Sequence, residues 1–159
     1  MQNNQVDILL VEDNPHEAKL TIMSLKENNL GTNLVHVDDG AEALDFLFAR
    51  GAFADRQGQG NPKVILLDLN LPKIGGLEVL RQMKLNDKTN KIPVVILSSS
   101  NQDKDVIEGY SLGANSYVVK PMEFDAFTKA IGDIGAYWMM LNESSTLLMI
   151  AKSKLIASE

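Results

Sequence analysis

The sequence predicts an α/β fold in which a parallel sheet is covered by helices on both faces, and three observations carry this. Short aliphatic runs recur along the chain, segments of helical period lie between them, and the runs scarcely alternate apolar with polar residues. Strands of that near-continuous character are buried on both sides, as in a parallel sheet. Strand and helix alternate five times, which argues for a doubly wound sheet with right-handed crossovers.

The strands are expected at 6–11, 35–37, 64–67, 94–97 and 117–119. Before the second strand, Ala18, Ile22 and Leu25 share one helical face, and Ala43, Leu44, Leu47 and Phe48 do so after it. Leu77, Leu80 and Met83 form a third stripe. Residues 103–112 are shorter and more polar but fit the fourth slot, and Phe124, Phe127, Ile131, Ile134 and Trp138 form the fifth stripe. Asn14 before Pro15 marks a helix start, with a capping side chain and proline at the first helical position. Gly31 and Gly113 are expected as stops after the first and fourth helices. The connection 50–62, with three glycines, exceeds the usual ~2–6 residues and is expected to be a mobile surface loop.

Composition narrows the class. The chain has 159 residues, 45% of them hydrophobic and 23% charged, ordinary values for a globular domain with a modest extension. It contains no cysteine, which excludes disulfides, thiol nucleophiles and zinc–thiolate sites. A net charge of −6 argues against a DNA-coating surface. No apolar run approaches the ~20 residues of a membrane span, and the first seven residues lack a signal-peptide pattern. The expectation is a soluble cytoplasmic protein that binds neither DNA nor membrane.

The polar residues are informative by position. Glu12 and Asp13 follow the first strand, Asp68 follows the third, Ser98 the fourth and Lys120 the fifth. In an open parallel sheet, ligands bind beyond the carboxyl ends of the strands, where the strand order reverses. Three carboxylates, a hydroxyl and an ammonium group are thereby delivered to one crevice. Clustered carboxylates repel and raise one another's pKa unless a cation intervenes. An all-oxygen site with room for water suits Mg²⁺ better than zinc or copper. Lys120 can pair with a carboxylate or with a phosphoryl oxygen, and Ser98 adds a donor. That inventory fits phosphoryl transfer onto a carboxylate. Taken singly, each residue has a plainer reading: Asp13 as a helix-start acid, Asp68 as a turn residue, Ser98 as a cap, Lys120 as a solvated lysine. Their convergence on one edge is what those readings leave unexplained.

Glu12-Asp13, Asp68-Leu69-Asn70-Leu71-Pro72-Lys73-Ile74-Gly75-Gly76, Ser98-Ser99 and Lys120-Pro121 resemble the receiver domain of two-component response regulators over residues 6–140. The resemblance implies a flavodoxin-like fold of strand order 2-1-3-4-5, with residues 1–141 as receiver and 142–159 as a tail. It implies Asp68 as phosphoacceptor and Asp13 as a direct Mg²⁺ ligand, with Glu12 acting through water and Asn70 giving its main-chain carbonyl. Ser98 corresponds to the switching hydroxyl, Tyr117 to the switching aromatic and Lys120 to the phosphate-pairing lysine. The Lys120–Pro121 bond would be cis. Asp45-Phe46-Leu47, the lengthened loop 50–62 and Tyr137-Trp138 resemble more narrowly the single-domain regulators that accompany bacterial phytochromes.

The resemblance implies a phosphorylatable switch, not an enzyme acting on an outside substrate. A sensor histidine kinase, a phytochrome in the narrower resemblance, would supply the phosphoryl group. Output would be by contact with a protein target, or by relay to a histidine phosphotransfer protein. Two alternatives stand beside it. A dehalogenase-type phosphohydrolase needs a second Asp where Asn70 stands, and a non-phosphorylated pseudo-receiver scaffold would not need the full polar set. In the tail, Leu147, Leu148, Ala151 and Leu155 share a helical face. Tyr137, Met139, Met140 and Leu141 add apolar surface beyond the fifth core stripe. A homodimer through the fourth-helix, fifth-strand and fifth-helix face is expected.

Overall fold

The computed structural model describes residues 5–31 and 33–142. Among them, strands β1 (Ile8–Val11), β2 (Leu34–Val37), β3 (Val64–Leu67), β4 (Val94–Ser98) and β5 (Ser116–Val119) form one sheet. Its order is β2-β1-β3-β4-β5 and every pairing is parallel. Helices α1 (Pro15–Glu27), α2 (Gly40–Leu47), α3 (Gly76–Lys84), α4 (Asp103–Ser111) and α5 (Phe124–Ala136) connect the strands. A π-helical turn, Tyr137–Leu141, continues α5.

Because successive strand residues point to opposite faces, each central strand serves two cores. Leu9, Val11, Ile65, Leu67, Val94 and Ile96 pack with α2 and α3 through Ala43, Leu44, Phe46, Val79, Leu80 and Met83. Ile8, Leu10, Val64, Leu66, Val95 and Leu97 pack with α1 and α5 through Ala18, Leu25, Phe127 and Ile131, with Trp138 closing that side. Burial of the central strands on both faces is therefore as expected. The edges differ: in β2 Leu34–His36, and in β5 Ser116–Val118, are half-buried, and Val119 is exposed. An edge strand has a neighbour on one side only, so its side chains lack cover there.

Caps set the helix starts. The Asn14 side chain accepts hydrogen bonds from the His16 and Glu17 amides at 3.0 and 3.1 Å, with Pro15 at the first position. α1 ends earlier than Gly31 suggested, because Asn29 takes the left-handed conformation (φ 59°) and reverses the chain. Gly113 does take a positive φ (105°) just beyond α4. Leu77 and Leu47 are only half-buried; Val79 and Phe46 fill the core positions instead. Phe124, expected in the core, is 59% exposed, because it stands at the first helical position, ahead of the turns that pack on the sheet. Tyr137, Met140 and Leu141 are exposed, while Met139 packs on the α1–α5 core. The connection 50–62 is not featureless: it carries a 3₁₀ turn, Gly51–Arg56. Phe53 meets Phe46 edge-on at 5.3 Å, and the Arg56 guanidinium lies 3.6 Å from the Phe46 ring centroid. The proposed tail helix, residues 144–157, lies outside the described residues.

Candidate functional site

Three site residues stand one step beyond a strand, on ladders that have not yet ended. The Glu12 amide donates to the Val37 carbonyl at 3.1 Å, that of Asp68 to Val11 at 3.1 Å, and that of Lys120 to Ser98 at 2.8 Å. Parallel register thus brings residues 12, 68 and 120 to the carboxyl edge of the sheet, where the order reverses between β1 and β3. The loop after Asp68 is held down from both sides. A Cβ on Gly76 would fall 2.2 Å from the Asp68 carbonyl oxygen, and one on Gly40 would fall 1.9 Å from that of Ile74. Only glycine permits those approaches. Lys73, at φ 64°, reaches the buried Asp39 carboxylate at 3.2 Å. Burial pushes the Asp39 carboxyl upward, but its own capping bond to the Glu42 amide and the Lys73 ammonium hold it below its ordinary value.

Lys120 is the centre of the site. Its Nζ donates to Glu12 Oε1 at 2.6 Å, Glu17 Oε2 at 2.8 Å and Asp68 Oδ2 at 3.0 Å. The Lys120, Glu12 and Asp68 side chains are 7%, 5% and 10% exposed, against 36% for Glu17. Burial, helped by the shared hydrogen bond with Asp68, pushes Glu12 up to about 8 in spite of Lys120. Burial disfavours the Lys120 ammonium, yet Glu12, Glu17 and Asp68 outweigh it and raise its pKa. Glu17 is lowered: partial burial acts against this, and the Lys120 bond overcomes it.

Oxygens of Glu12, Glu17 and Asp68 all lie within 4.8 Å of one another. Fully ionised, they outnumber the one ammonium, and every donor is oxygen, a set that fits a hard divalent cation better than a soft one. Asp13 is exposed and is not among the three. It follows the buried Glu12 in the chain, where the backbone bends away from the strand. Asn70 is exposed too, its amide donating to Asp68 Oδ1 at 3.2 Å. Ser98 is fully buried, and its Oγ accepts from the Ser100 amide at 3.1 Å, a bond within its own loop. Tyr117 is half-buried against the α2–α3 core, with its hydroxyl donating to the Ser100 carbonyl at 2.9 Å. Gly109 packs beside it: a Cβ there would fall 2.8 Å from Ile96 Cδ1, and 3.4 Å from the Tyr117 ring, an ordinary contact. Lys120–Pro121 is trans, contrary to expectation, since the described residues include no cis peptide bond. Trans is the intrinsically favoured form by about 0.5–1 kcal/mol, and Lys120 reaches all three carboxylates from it.

Glu17 was not anticipated. It occupies the third position of α1, where an acid ordinarily serves the helix start. Its partner Lys120 lies 103 residues away. The Asn14-Pro15 start was the one available signal, since it fixes residue 17 in the first turn.

A wound parallel sheet with a buried aspartate and lysine at its carboxyl edge defines a class, and comparison with known families agrees with it. Residues 8–132 match the response regulator receiver domain, and the chain belongs to that family. Among relatives, it is 37% identical over 132 residues to the response regulator Rcp1 of Synechocystis sp., covering 83% of this chain and 88% of Rcp1. The solved Mn²⁺-bound form of Rcp1 superposes with a TM-score of 0.80 at 35% identity, covering 87% of this chain and 98% of that one. The phosphorylated cyanobacterial phytochrome response regulator RcpA gives 0.81 at 34% identity, with 88% and 98% covered. The bacteriophytochrome response regulator RtBRR gives 0.70 at 46% identity, with 97% and 95% covered. No helix among the described residues is long and apolar enough to cross a membrane.

Proposed function

We propose that this chain is a cytoplasmic phosphorylation switch in which Asp68 accepts a phosphoryl group from a sensor histidine kinase of the phytochrome class. The observation that carries the reading is the Asp68 carboxylate, buried at the strand-order reversal with an ammonium group 3.0 Å away. RcpA, solved phosphorylated, and Rcp1, solved with Mn²⁺, support it as similar proteins. In the transfer, an Asp68 oxygen attacks phosphorus, the bond from phosphorus to the donor's imidazole nitrogen breaks, and that nitrogen keeps the electron pair. Hydrolysis later returns the carboxylate, so no outside substrate is turned over. Asp13, Asp68, the Asn70 carbonyl and, through water, Glu12 would hold Mg²⁺, which offsets negative charge on the phosphoryl oxygens. Lys120 pairs with one of those oxygens and Ser98 donates to another. Incubation with Mg²⁺ and acetyl phosphate is expected to add one phosphoryl group, labile to hydroxylamine and absent in Asp68→Asn, because an amide cannot attack phosphorus. Labelling that persists in that variant, or after Mg²⁺ is chelated, overturns the assignment.

Output runs through protein contact in this reading. Residues 1–141 act as the receiver, and residues 142–159 as an appended tail. Ile107 and Tyr110 on α4, Val119 on β5, and Phe124, Tyr137 and Met140 along α5 and its continuation are exposed apolar residues. Surfaces of that kind usually serve a partner, and a second copy meeting it by two-fold symmetry gives a homodimer. Ser98 moving toward a phosphoryl group pulls on the loop between β4 and α4, whose Ser100 carbonyl holds Tyr117 of β5. Light scattering at micromolar concentration is expected to show a dimer that a phosphate mimic tightens in the wild type but not in Ser98→Ala. A monomeric mass with and without the mimic removes the dimer, and equal tightening in both proteins removes the coupling.

A further inference from the structure

The carboxylate of Glu17 has no role in the phosphoryl transfer set out above, yet it is one of the three groups that hold Lys120. An ammonium group has three N–H donors and no more. Those of Lys120 are taken up by Glu12, Glu17 and Asp68 at 2.6, 2.8 and 3.0 Å. A phosphoryl oxygen can bond to Lys120 only if one of these carboxylates lets go. Asp68 carries the phosphoryl group and stays in place. Glu12 is nearly sealed from solvent at 5% exposure, so a freed Glu12 carboxylate would have no water to turn to and, of backbone donors among the described residues, only the Asn14 amide at 3.4 Å. Glu17, at 36%, can turn to water from the first turn of α1. Glu17 also sets a negative charge within 4.8 Å of the Asp68 carboxylate, facing any anionic phosphodonor.

We infer that Glu17 is a positioning residue that occupies Lys120 in the resting protein and competes with the incoming phosphoryl group for it. This rests on the reading of Asp68 as phosphoacceptor. Glu17 holds the ammonium group at the site entrance, keeps its third donor satisfied, and sets the threshold that a donor must overcome. Removing its charge lowers that threshold; a merely structural acid, once removed, would weaken the fold without improving the capture of an anion.

The test is the dependence of Asp68 labelling on acetyl phosphate concentration in wild type, Glu17→Gln and Glu17→Ala, repeated as a Mg²⁺ titration at fixed acetyl phosphate. Glutamine keeps the length and a weak acceptor; alanine removes both. The half-saturating acetyl phosphate concentration is expected to fall roughly three- to tenfold in both variants, the scale of one unit charge removed beside a partly exposed site. The half-saturating Mg²⁺ concentration is expected to rise in the same variants, because the charge that repels the donor also attracts the cation. Unchanged or weaker acetyl phosphate capture in both variants overturns the inference. So does a higher Mg²⁺ requirement without a gain in capture, which would make Glu17 a metal-holding group. Should the wild type show no Asp68-dependent label, this inference and the reading beneath it both fall; label in the wild type with half-saturation unmoved in the variants removes this inference alone.

Discussion

Lys120→Met is expected to destabilise the metal-free protein by about 3–5 kcal/mol at neutral pH, the usual cost of removing one partner from a buried ion pair. Methionine fills the volume of the lysine stem but leaves Glu12 and Asp68, both nearly buried, without their cation. Part of the loss should return when Mg²⁺ is added, because a divalent ion replaces the missing positive charge. It should also be smaller below about pH 8, where Glu12 holds a proton, than above it, where one more buried charge stands uncompensated. Urea unfolding of both proteins with chelator and with Mg²⁺ decides the matter. Equal midpoints and slopes in the metal-free proteins would mean that solvent, not Lys120, balances the carboxylates.

Glu12→Gln is expected to act in the opposite sense. Burial and the bond shared with Asp68 raise the folded-state pKa of Glu12 to about 8, above the ordinary 4.5. The folded protein therefore holds a proton that the unfolded chain gives up near 4.5. The stabilising contribution of that proton is present below about 4.5 and is lost as pH rises through about 8. Glutamine is neutral throughout and still offers Lys120 an oxygen. With metal absent, the variant should match wild type near pH 4.5 and exceed it at pH 8, by an amount on the order of a few kcal/mol. Chemical unfolding at both pH values, in chelator, measures it. A constant difference between wild type and variant across that window would show that Glu12 does not titrate there. Since Glu12 and Lys120 face each other, their substitutions should not add, and the double variant should lose less than the sum.

How much of this was legible in the chain differs between the sheet and the site. The aliphatic runs at 64–67 and 94–97, and the polar residues that end them, are local patterns, so they disclosed the wound sheet, its central strands and the edge that carries Asp68 and Lys120. The Asn14-Pro15 start and the Gly113 reversal were equally local and are found where they were expected. The receiver motif, an ordered set of single residues at strand ends, is likewise carried by the chain alone, and the family match agrees with it.

Other features depended on what each residue meets across the fold. Whether β2 and β5 are buried depends on what lies beyond the sheet edge, and an aliphatic run carries no record of that. Phe124 has the spacing of a core residue but stands ahead of the turns that pack on the sheet, so periodicity alone misplaced it. The connection 50–62 is pinned by Phe53 and Arg56 on Phe46, contacts that no turn signal encodes. At the site, adjacency in sequence favoured the pair Glu12 and Asp13, whereas the three carboxylates that converge are Glu12, Glu17 and Asp68. The chain by itself determined which elements form and which residues end them, because those depend on neighbours three or four positions away. Only the tertiary structure decided which carboxylates share Lys120, because that contact closes across 103 residues and is set by how α1 and β5 are brought to the same edge of the sheet.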